Sequence, residues 1–269
     1  MTMTDTTTMG ERQSEGEIVL KVEDQIAWVS FNRPERLNAF DPGQFKLLSD
    51  LMDGMSTRKD VGVVVLTGIG RAFSAGGDVR EFTKDGLVET GIYAFRALTA
   101  IRRCRKPVIA MVNGLAVGGG NELVIAADLA IAARSARLGQ AGTMIGACPV
   151  IGGTNLLPLQ IGEKRAKQIV YFSEKVTAEK ALEWGWVNEV VDDDDLEATV
   201  REWAERLLEL HPQSLQIAKA ASNVWWNLSY DSMLNGLELI AMGVAPESVD
   251  EGREAFLSKR KPDYSPWRK

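Results

Sequence analysis

Residues 114–133 read GLAVGGGNELVIAADLAIAA, and this stretch decides the fold. Three consecutive glycines, Gly118 to Gly120, precede an apolar run that we interpret as a buried helix. Glycine lets the backbone adopt positive φ and lets another group approach its N–H closely. A helix N-terminus adds unpaired N–H groups and the positive end of a dipole. A strand, three glycines and a helix therefore predict a pocket for negative charge.

Apolar strands and helices alternate on either side of this stretch. VGVVVLTGIG (61–70) and KPVIAMVNG (106–114) are continuous apolar runs that end in glycine, as strands covered on both faces do. LAIAA (129–133) predicts a third such strand, a helix is predicted near 88–104, and EIVLKVEDQIAWVSFNRP (17–34) predicts a β-hairpin. The alternation indicates an α/β fold with a mainly parallel sheet.

The last third of the chain has the pattern of successive helices. DDDDLEATVREWAERLLELHP (192–212) predicts an amphipathic helix whose acidic start suits the helix dipole. The Thr-rich N-terminus reads as a disordered lead-in without the features of a signal peptide. We therefore divide the chain into a lead-in at 1–16, an α/β core at 17–195 and a helical extension at 196–269.

Composition excludes several classes of function. The chain has 269 residues and a net charge of −6, and a negatively charged protein of this kind does not favour binding to the phosphate backbone of nucleic acid. No apolar run approaches the roughly 20 residues of a membrane helix. Cys104 and Cys148 provide neither a disulfide framework nor metal-ligand spacing, so we expect a reduced, cytoplasmic protein without a metal site. His211 is the one histidine, so a histidine-based mechanism would depend on it alone.

A second glycine-rich loop, FSAGGD (73–78), also follows a buried strand. Two such loops on adjacent parallel strands lie at the same sheet edge, where ligands bind. The sequence lacks both the P-loop pattern and the dinucleotide pattern G-x-G-x-x-G, so an oxyanion hole is the better interpretation. Glu122 follows Gly119 by three residues and would lie on the same helix face. Spacing alone leaves it open whether Glu122 is an acid/base catalyst or a glutamate favoured by the dipole.

Several motifs, taken together, resemble one known family. They are NRPERLNAF, GRAFSAGGDVREF, KPVIAMVNGLAVGGGNELVIAADLAIAA, SARLGQAG, GEKRAKQIVYFSEKVTAEKALEWGWVNEVV and EGREAFLSKRKPDY. Over roughly residues 17 to 264 the chain resembles the crotonase, or enoyl-CoA hydratase/isomerase, superfamily. The resemblance implies a ββα spiral core, a helical C-terminal trimerisation region and a homotrimer or hexamer. It also implies an acyl-CoA thioester substrate and no separate cofactor.

The resemblance also implies roles for individual residues. Ala75 and Gly119 match the two backbone oxyanion donors, and Glu122 matches the first catalytic glutamate of the hydratases. The second glutamate belongs to a GQxE motif, but the sequence here is GQAG, which places Gly142 at that position. The following segment, GACPVIGGTNLLP, locally resembles that of the 6-oxocyclohex-1-ene-1-carbonyl-CoA hydrolases.

The remaining candidate residues are assigned to substrate binding. Arg36 and Leu37 match the loop that meets coenzyme A, whereas Phe256 and Lys259 match contacts to its nucleotide end, with a solvated basic tail as the alternative for Lys259. Asp78 is better interpreted as a cap than as a catalyst, and Cys148 as a pocket residue rather than a nucleophile. The full set is Arg36, Leu37, Ala39, Ser74, Gly76, Asp78, Gly142, Cys148, Pro149, Phe256 and Lys259.

The sequence thus predicts an enzyme that polarises a thioester and adds water to an enoyl-CoA. A cyclic enone-CoA with hydrolytic ring opening is a further possibility from the local resemblance. The alternatives are an enoyl-CoA isomerase and a non-catalytic acyl-CoA-binding trimer.

Overall fold

The computed structural model describes residues 18–268, so the predicted lead-in at 1–16 lies outside the described residues. Its strands are β1 (Ile18–Glu23), β2 (Ile26–Phe31), β3 (Val63–Gly68), β4 (Ala72–Ser74), β5 (Val108–Val112), β6 (Leu115–Val117), β7 (Leu129–Ala133), β8 (Arg137–Gly139), β9 (Lys175–Thr177) and β10 (Glu189–Val191). Its helices are α1 (Pro42–Met55), α2 (Lys84–Arg103), α3 (Gly119–Ala126), α4 (Leu157–Ile161), α5 (Glu163–Phe172), α6 (Ala178–Glu183), α7 (Leu196–Leu208), α8 (Pro212–Ser222), α9 (Val224–Gly243) and α10 (Pro246–Leu257).

The larger sheet has the strand order β1-β2-β3-β5-β7-β10. β1 and β2 form the predicted antiparallel hairpin, with Glu23 paired to Ile26, and the remaining neighbours are parallel. Every residue of β3 and β5 is buried, and helices α3 and α7 and strand β4 pack against this part of the sheet. The predicted α/β class and its buried parallel strands are confirmed.

A second sheet, in the order β4-β6-β8-β9, was not predicted from the residue pattern. After a short corner, each of β3, β5 and β7 is followed by a short strand that belongs to this sheet. The Asn113 side chain ties one corner, accepting from Gly68 N at 3.1 Å and donating to the Gly70 carbonyl at 2.8 Å. Strands of three residues are too short to give a periodic signal, which is why the pattern missed them.

The helices begin where capping residues allow. Asp41 and Gln44 form a capping box at the start of α1. The Thr83 side chain accepts from Gly86 N at 3.0 Å, so α2 begins at Lys84, four residues earlier than predicted. His211 caps α8 through its ring nitrogen, which accepts from Ser214 N at 3.3 Å, and so has a structural role here.

The helical pattern of the last third corresponds to helices α7 to α10, which begin at Leu196 and occupy most of the remaining chain, while the division into a core and an extension stays a prediction. α9 packs against α2, and its residues Trp226, Met233 and Leu237 are buried in the core. Its role in trimerisation stays a prediction. Across residues 18–268, no helix is both long and apolar enough to span a membrane.

Candidate active site

Two of the three consecutive glycines, Gly118 and Gly120, stand at positions where a side chain would be disfavoured. Gly118 precedes α3 with φ 55° and ψ −128°, a backbone conformation that side chains disfavour. A Cβ placed at Gly120 would lie 2.2 Å from the Ser74 carbonyl oxygen, so α3 packs directly on the end of β4. The helix N-terminus therefore approaches the FSAGGD loop without intervening side chains, as the sequence predicted.

The assignment of Ala75 as an oxyanion donor is corrected by the structure. The Ala75 N–H donates to the Leu37 carbonyl at 2.9 Å, which ties the FSAGGD loop to the NRPERLNAF loop. An N–H used in this way is not available to a thioester oxygen. Ala75 still lies in the wall of the site, but its backbone donor has a structural role.

The Gly77 N–H takes the place that the sequence gave to Ala75. Phe40 pairs across this loop by donating to the Gly76 carbonyl at 2.7 Å and accepting from Asp78 N at 2.8 Å. Both bonds use the residues that flank Gly77, so its own N–H points away from Phe40. Within the described chain neither the Gly77 N–H nor the Gly119 N–H donates a hydrogen bond.

The two free N–H groups lie close together. A Cβ placed at Gly119 would lie 3.6 Å from Gly77 N, and one placed at Gly76 would lie 2.7 Å from Gly119 N. Two unpaired backbone donors on facing loops are the arrangement that an oxyanion hole needs. Gly119 also stands at the first turn of α3, where the positive end of the helix dipole adds to the potential.

Glu122 is buried at 4% exposure in the first turn of α3. Its Oε1 accepts from Gly153 N at 3.2 Å, which fixes the carboxyl against the segment that follows Pro149. Burial raises the pKa of Glu122 to about 7, although the backbone N–H groups of Gly153 and Ile151 act to lower it. A carboxyl that is partly ionised near neutral pH can both take and return a proton.

One cavity of about 620 Å³ brings most of the predicted site residues together. Its wall includes the free N–H groups of Gly77 and Gly119 and the Glu122 carboxyl. The predicted residues that line it are Arg36, Leu37, Ala39, Ala75, Asp78, Gly119, Glu122, Gly142, Cys148, Pro149 and Phe256.

Three predicted substrate-binding residues lie outside the cavity wall. Ser74 is fully buried, donates to the Asn38 carbonyl at 2.8 Å and accepts from Gly76 N at 3.1 Å. Ser74 and Gly76 therefore support the loop rather than line the pocket, which corrects their assignment. Lys259 is exposed beyond the end of α10, so its contact with the nucleotide end stays a prediction.

Asp78 is a structural anion at the mouth of the cavity, as its interpretation as a cap predicted. Its carboxylate accepts from Arg80 N at 3.2 Å and pairs with the side chains of Arg80 at 2.6 Å, Arg36 at 3.1 Å and Arg33 at 3.7 Å. Burial alone would raise the pKa of Asp78, but its hydrogen bonds to Arg80 and Arg36 outweigh that effect and lower it. The Asp78 carboxylate thus holds three guanidinium groups beside the cavity.

Gly142 supplies no second carboxyl beside Glu122, where a GQxE motif would place one. A Cβ placed at Gly142 would lie 3.1 Å from the Ala147 carbonyl oxygen and 3.2 Å from Pro149 Cδ, so the position is crowded. Cys148 is an exposed residue of the same wall with a free thiol, and partial desolvation by neighbouring groups together with the nearby Glu122 charge raises its pKa. A raised pKa disfavours the thiolate, which agrees with a pocket-lining role.

Gly77, Thr90 and Gln140 are among the wall residues that the sequence did not single out. Gly77 lies within the FSAGGD loop, but only its parallel pairing with Phe40 identifies its N–H, and not that of Ala75, as the free backbone donor. Thr90 on α2 and Gln140 after β8 are buried polar side chains whose hydroxyl and amide atoms have no partner in the described part of the chain. A polar residue within an apolar helix face was the available signal for Thr90.

The chain is similar in sequence to known proteins over most of its length. A family model described as enoyl-CoA hydratase/isomerase matches residues 21–266. The chain is 33% identical over 250 residues to a short-chain-enoyl-CoA hydratase of Clostridium acetobutylicum, a match that covers 91% of this chain and 95% of the relative.

Solved structures share the fold over nearly the whole chain. An enoyl-CoA hydratase from Mycobacterium avium subsp. paratuberculosis K-10 superposes with a TM-score of 0.84 at 28% identity, covering 94% of this chain and all of that one. A monofunctional enoyl CoA isomerase from M. smegmatis has a TM-score of 0.68 at 32% identity, covering 81% of this chain and 98% of that one.

Proposed function

Since the chain belongs to the enoyl-CoA hydratase/isomerase family, we propose that it adds water to an enoyl-CoA with Glu122 as its acid/base catalyst. The observation that carries this proposal is a buried carboxyl, with a pKa of about 7, in one cavity with two unpaired backbone N–H groups. The similarity to a short-chain-enoyl-CoA hydratase supports the same reaction.

The proposed reaction needs no second carboxylate. The thioester oxygen accepts hydrogen bonds from the Gly77 and Gly119 N–H groups, which stabilise negative charge as it develops. Glu122 takes a proton from water, and the hydroxide adds to the third acyl carbon while the electron pair of the double bond moves towards the thioester. Glu122 then returns its proton to the second carbon, so that one water is added in total.

The charge of the cavity mouth suits the phosphates of coenzyme A. Arg36, Arg71, Arg80 and Lys175 line this part of the wall, together with Glu35 and Asp78. Guanidinium groups match phosphate oxygens in geometry and in charge. We therefore assign the mouth to the nucleotide and the interior to the acyl group. Because coenzyme A is part of the substrate, the proposal requires no separate cofactor.

Isomerisation of the double bond is a second candidate, and the glycine at position 142 favours it. One carboxyl suffices to remove a proton from one carbon and return it to another, and that reaction consumes no water. A similar solved structure is described as a monofunctional enoyl CoA isomerase. The cyclic enone substrate and its ring opening, suggested by the local resemblance, stay predictions.

Products formed in oxygen-18 water separate these reactions. The panel contains 2-enoyl-CoA and 3-enoyl-CoA thioesters of four to eight carbons and one cyclic enone-CoA, analysed by mass spectrometry. Hydration predicts one labelled oxygen on the third acyl carbon. A shifted double bond without label would favour isomerisation, two added waters would indicate ring opening, and no turnover of any thioester would contradict an enzymatic role.

A further inference from the structure

Two helices contribute apolar residues to the interior of the cavity. On α2 the wall residues Leu87, Gly91 and Ala94 recur at helical spacing, and two of the three are small. On α9 the wall residues Leu237 and Ile240 are three positions apart on the inner face of the helix. Because α9 packs against α2, these residues determine how far the interior extends between the two helices.

Leu237 closes the wall between the helices by packing onto Gly91. Its Cδ2 lies 2.7 Å from the position of a Cβ placed at Gly91, so the missing side chain lets the leucine reach the α2 backbone. A leucine methyl in contact with that backbone leaves no room there for an acyl chain to pass. Leu237 is 8% exposed and packs within the main core, so the cavity is the side on which it has room to move.

This contact lies near the proposed thioester site. Gly91 follows Thr90, whose methyl carbon is 3.3 Å from the position of a Cβ placed at Gly77. Gly77 carries one of the two free N–H groups, and neighbouring Cα atoms are only about 3.8 Å apart along the chain. The contact of Leu237 with Gly91 is therefore within the length of a short acyl chain from the oxyanion hole.

We infer that Leu237 is a specificity-determining residue whose contact with Gly91 sets the longest acyl chain that the pocket accepts. The inference rests on the proposed acyl-CoA function and narrows its substrate class to thioesters of apolar acyl chains that end at Leu237. Each methylene that enters apolar surroundings raises the affinity about fourfold. A side chain that ends the pocket therefore sets a chain length beyond which the affinity stops rising.

Substitutions on the two sides of this contact should change the limit in opposite directions. Leu237→Ala removes the closing side chain, so a longer acyl chain should pass between the helices. Gly91→Ala places a methyl group against Leu237 Cδ2, and the leucine side chain yields more easily than the α2 backbone. It should turn towards the cavity and shorten it. In the double variant the added methyl group meets no leucine, so the limit should lie beyond that of Gly91→Ala.

Binding of saturated thioesters measures the limit without depending on turnover. Calorimetry compares acetyl-CoA to dodecanoyl-CoA in two-carbon steps, and the wild-type affinity should rise about 10-fold per step up to the limit and then level off. Leu237→Ala should bind the first thioester beyond that limit about 10-fold more tightly than wild type does. Gly91→Ala should bind the longest accepted thioester about 3- to 10-fold more weakly.

Leu98→Ala is the matched control, because it removes the same atoms from a fully buried leucine of α2 that is not part of the cavity wall. It should lose stability and keep the wild-type limit. If Leu237→Ala does not fold, Leu237→Val provides the same test with a smaller shift.

The results separate this inference from the proposed function. A wild-type affinity that still rises at dodecanoyl-CoA, an equal limit in wild type and Leu237→Ala, or a Gly91→Ala variant that accepts chains as long as wild type does would overturn the inference while the proposed function stands. If no thioester binds to the wild type at all, both the inference and the proposed function fail.

Discussion

Burying the Glu122 carboxyl destabilises its ionised form, and the same burial gives it a pKa suited to acid/base catalysis. Its carboxyl is buried beside apolar groups, so the ionised form is penalised and its pKa rises to about 7. The Gly153 N–H offsets part of that penalty and fixes the orientation of the carboxyl. A glutamate held only by the helix dipole would be exposed and would have an ordinary acidity. The burial therefore favours the acid/base interpretation over the structural one.

The first prediction concerns the pH dependence of stability. Between pH 4.5 and about 7 the folded protein keeps a proton on Glu122 that the unfolded chain releases, so the free energy of unfolding falls as pH rises through this window. Glu122→Gln removes this penalty and retains an acceptor for Gly153 N. The free energy of unfolding of the variant should be close to that of the wild type at pH 4 and should exceed it by about 3 kcal/mol at pH 8.

Denaturant unfolding at one protein concentration measures this difference. The exposed Glu202→Gln on α7 is the control and should show no gain that grows with pH. A constant difference between wild type and Glu122→Gln from pH 4 to pH 8 would contradict a raised pKa.

The second prediction concerns turnover. If Glu122 is the base, kcat/KM of the wild type should rise as pH increases through about 7, because the carboxylate forms there. Glu122→Gln should lower kcat by about 10²–10⁴-fold on any thioester that the wild type accepts. Affinity for saturated acyl-CoA should stay near the wild-type value. Activity of the variant within a factor of a few of wild type would exclude the proposed catalytic role.

Among the elements, those with strong local signals were predicted and those without were not. The hairpin of β1 and β2, the buried strand β3 and the amphipathic helix α7 each have a pattern long enough to be read alone. β4 and β6 have three residues each, and they form strands because the segments that follow β3 and β5 pair with one another in the second sheet.

The same limit explains the correction at Ala75. A glycine-rich loop after a strand predicts that some N–H is exposed there. Which N–H is free depends on the NRPERLNAF loop, since Leu37 takes the Ala75 N–H and Phe40 pairs with the residues flanking Gly77. These partners are more than thirty positions away in sequence, so local reasoning had no access to them.

The third prediction tests the spacing of the two loops. Gly76 has φ 85°, and a methyl group there would lie 2.7 Å from both Gly119 N and the Val117 carbonyl oxygen. Gly76→Ala should separate the loops and lower kcat by about 10²–10³-fold, the loss that follows removal of one oxyanion donor. Steady-state kinetics measures the loss.

Gly162→Ala is the matched control for this substitution. Gly162 has φ 88° but nothing within 4 Å of the added carbon, so it shares the backbone strain without the contact. Both variants should be less stable than wild type, while Gly162→Ala keeps its turnover. Equal loss of activity in the two variants would assign the effect to strain and not to the loops.

At the scale of the whole molecule, α9 has two apolar faces. Trp226, Met233, Leu237 and Ile240 form the inner one, and Leu237 and Ile240 also line the cavity. On the outer face Trp225 is 59% exposed, Leu228 71%, Leu239 69% and Met242 84%. An exposed apolar stripe of this kind is typical of a surface that contacts another protein. The helix thus links the acyl pocket to a surface that a neighbouring copy would cover.

The last prediction is that the outer face of α9 holds copies of the chain together as the predicted trimer or hexamer. Most soluble oligomers are closed assemblies of identical chains, so sedimentation velocity at micromolar concentration should give three or six times the chain mass of 29.5 kDa. Leu228→Glu with Leu239→Glu places two charges on the stripe and should dissociate the assembly, because burying unpaired charges is costly. Leu182→Glu on α6 also adds a charge at an exposed leucine outside α9 and should leave the mass unchanged.

The dissociated variant should also have a higher KM, because α9 loses its outer support while its inner face still forms the pocket wall. A wild-type monomer under these conditions would contradict the assembly, and a monomeric variant with unchanged KM would show that the outer face and the pocket are independent.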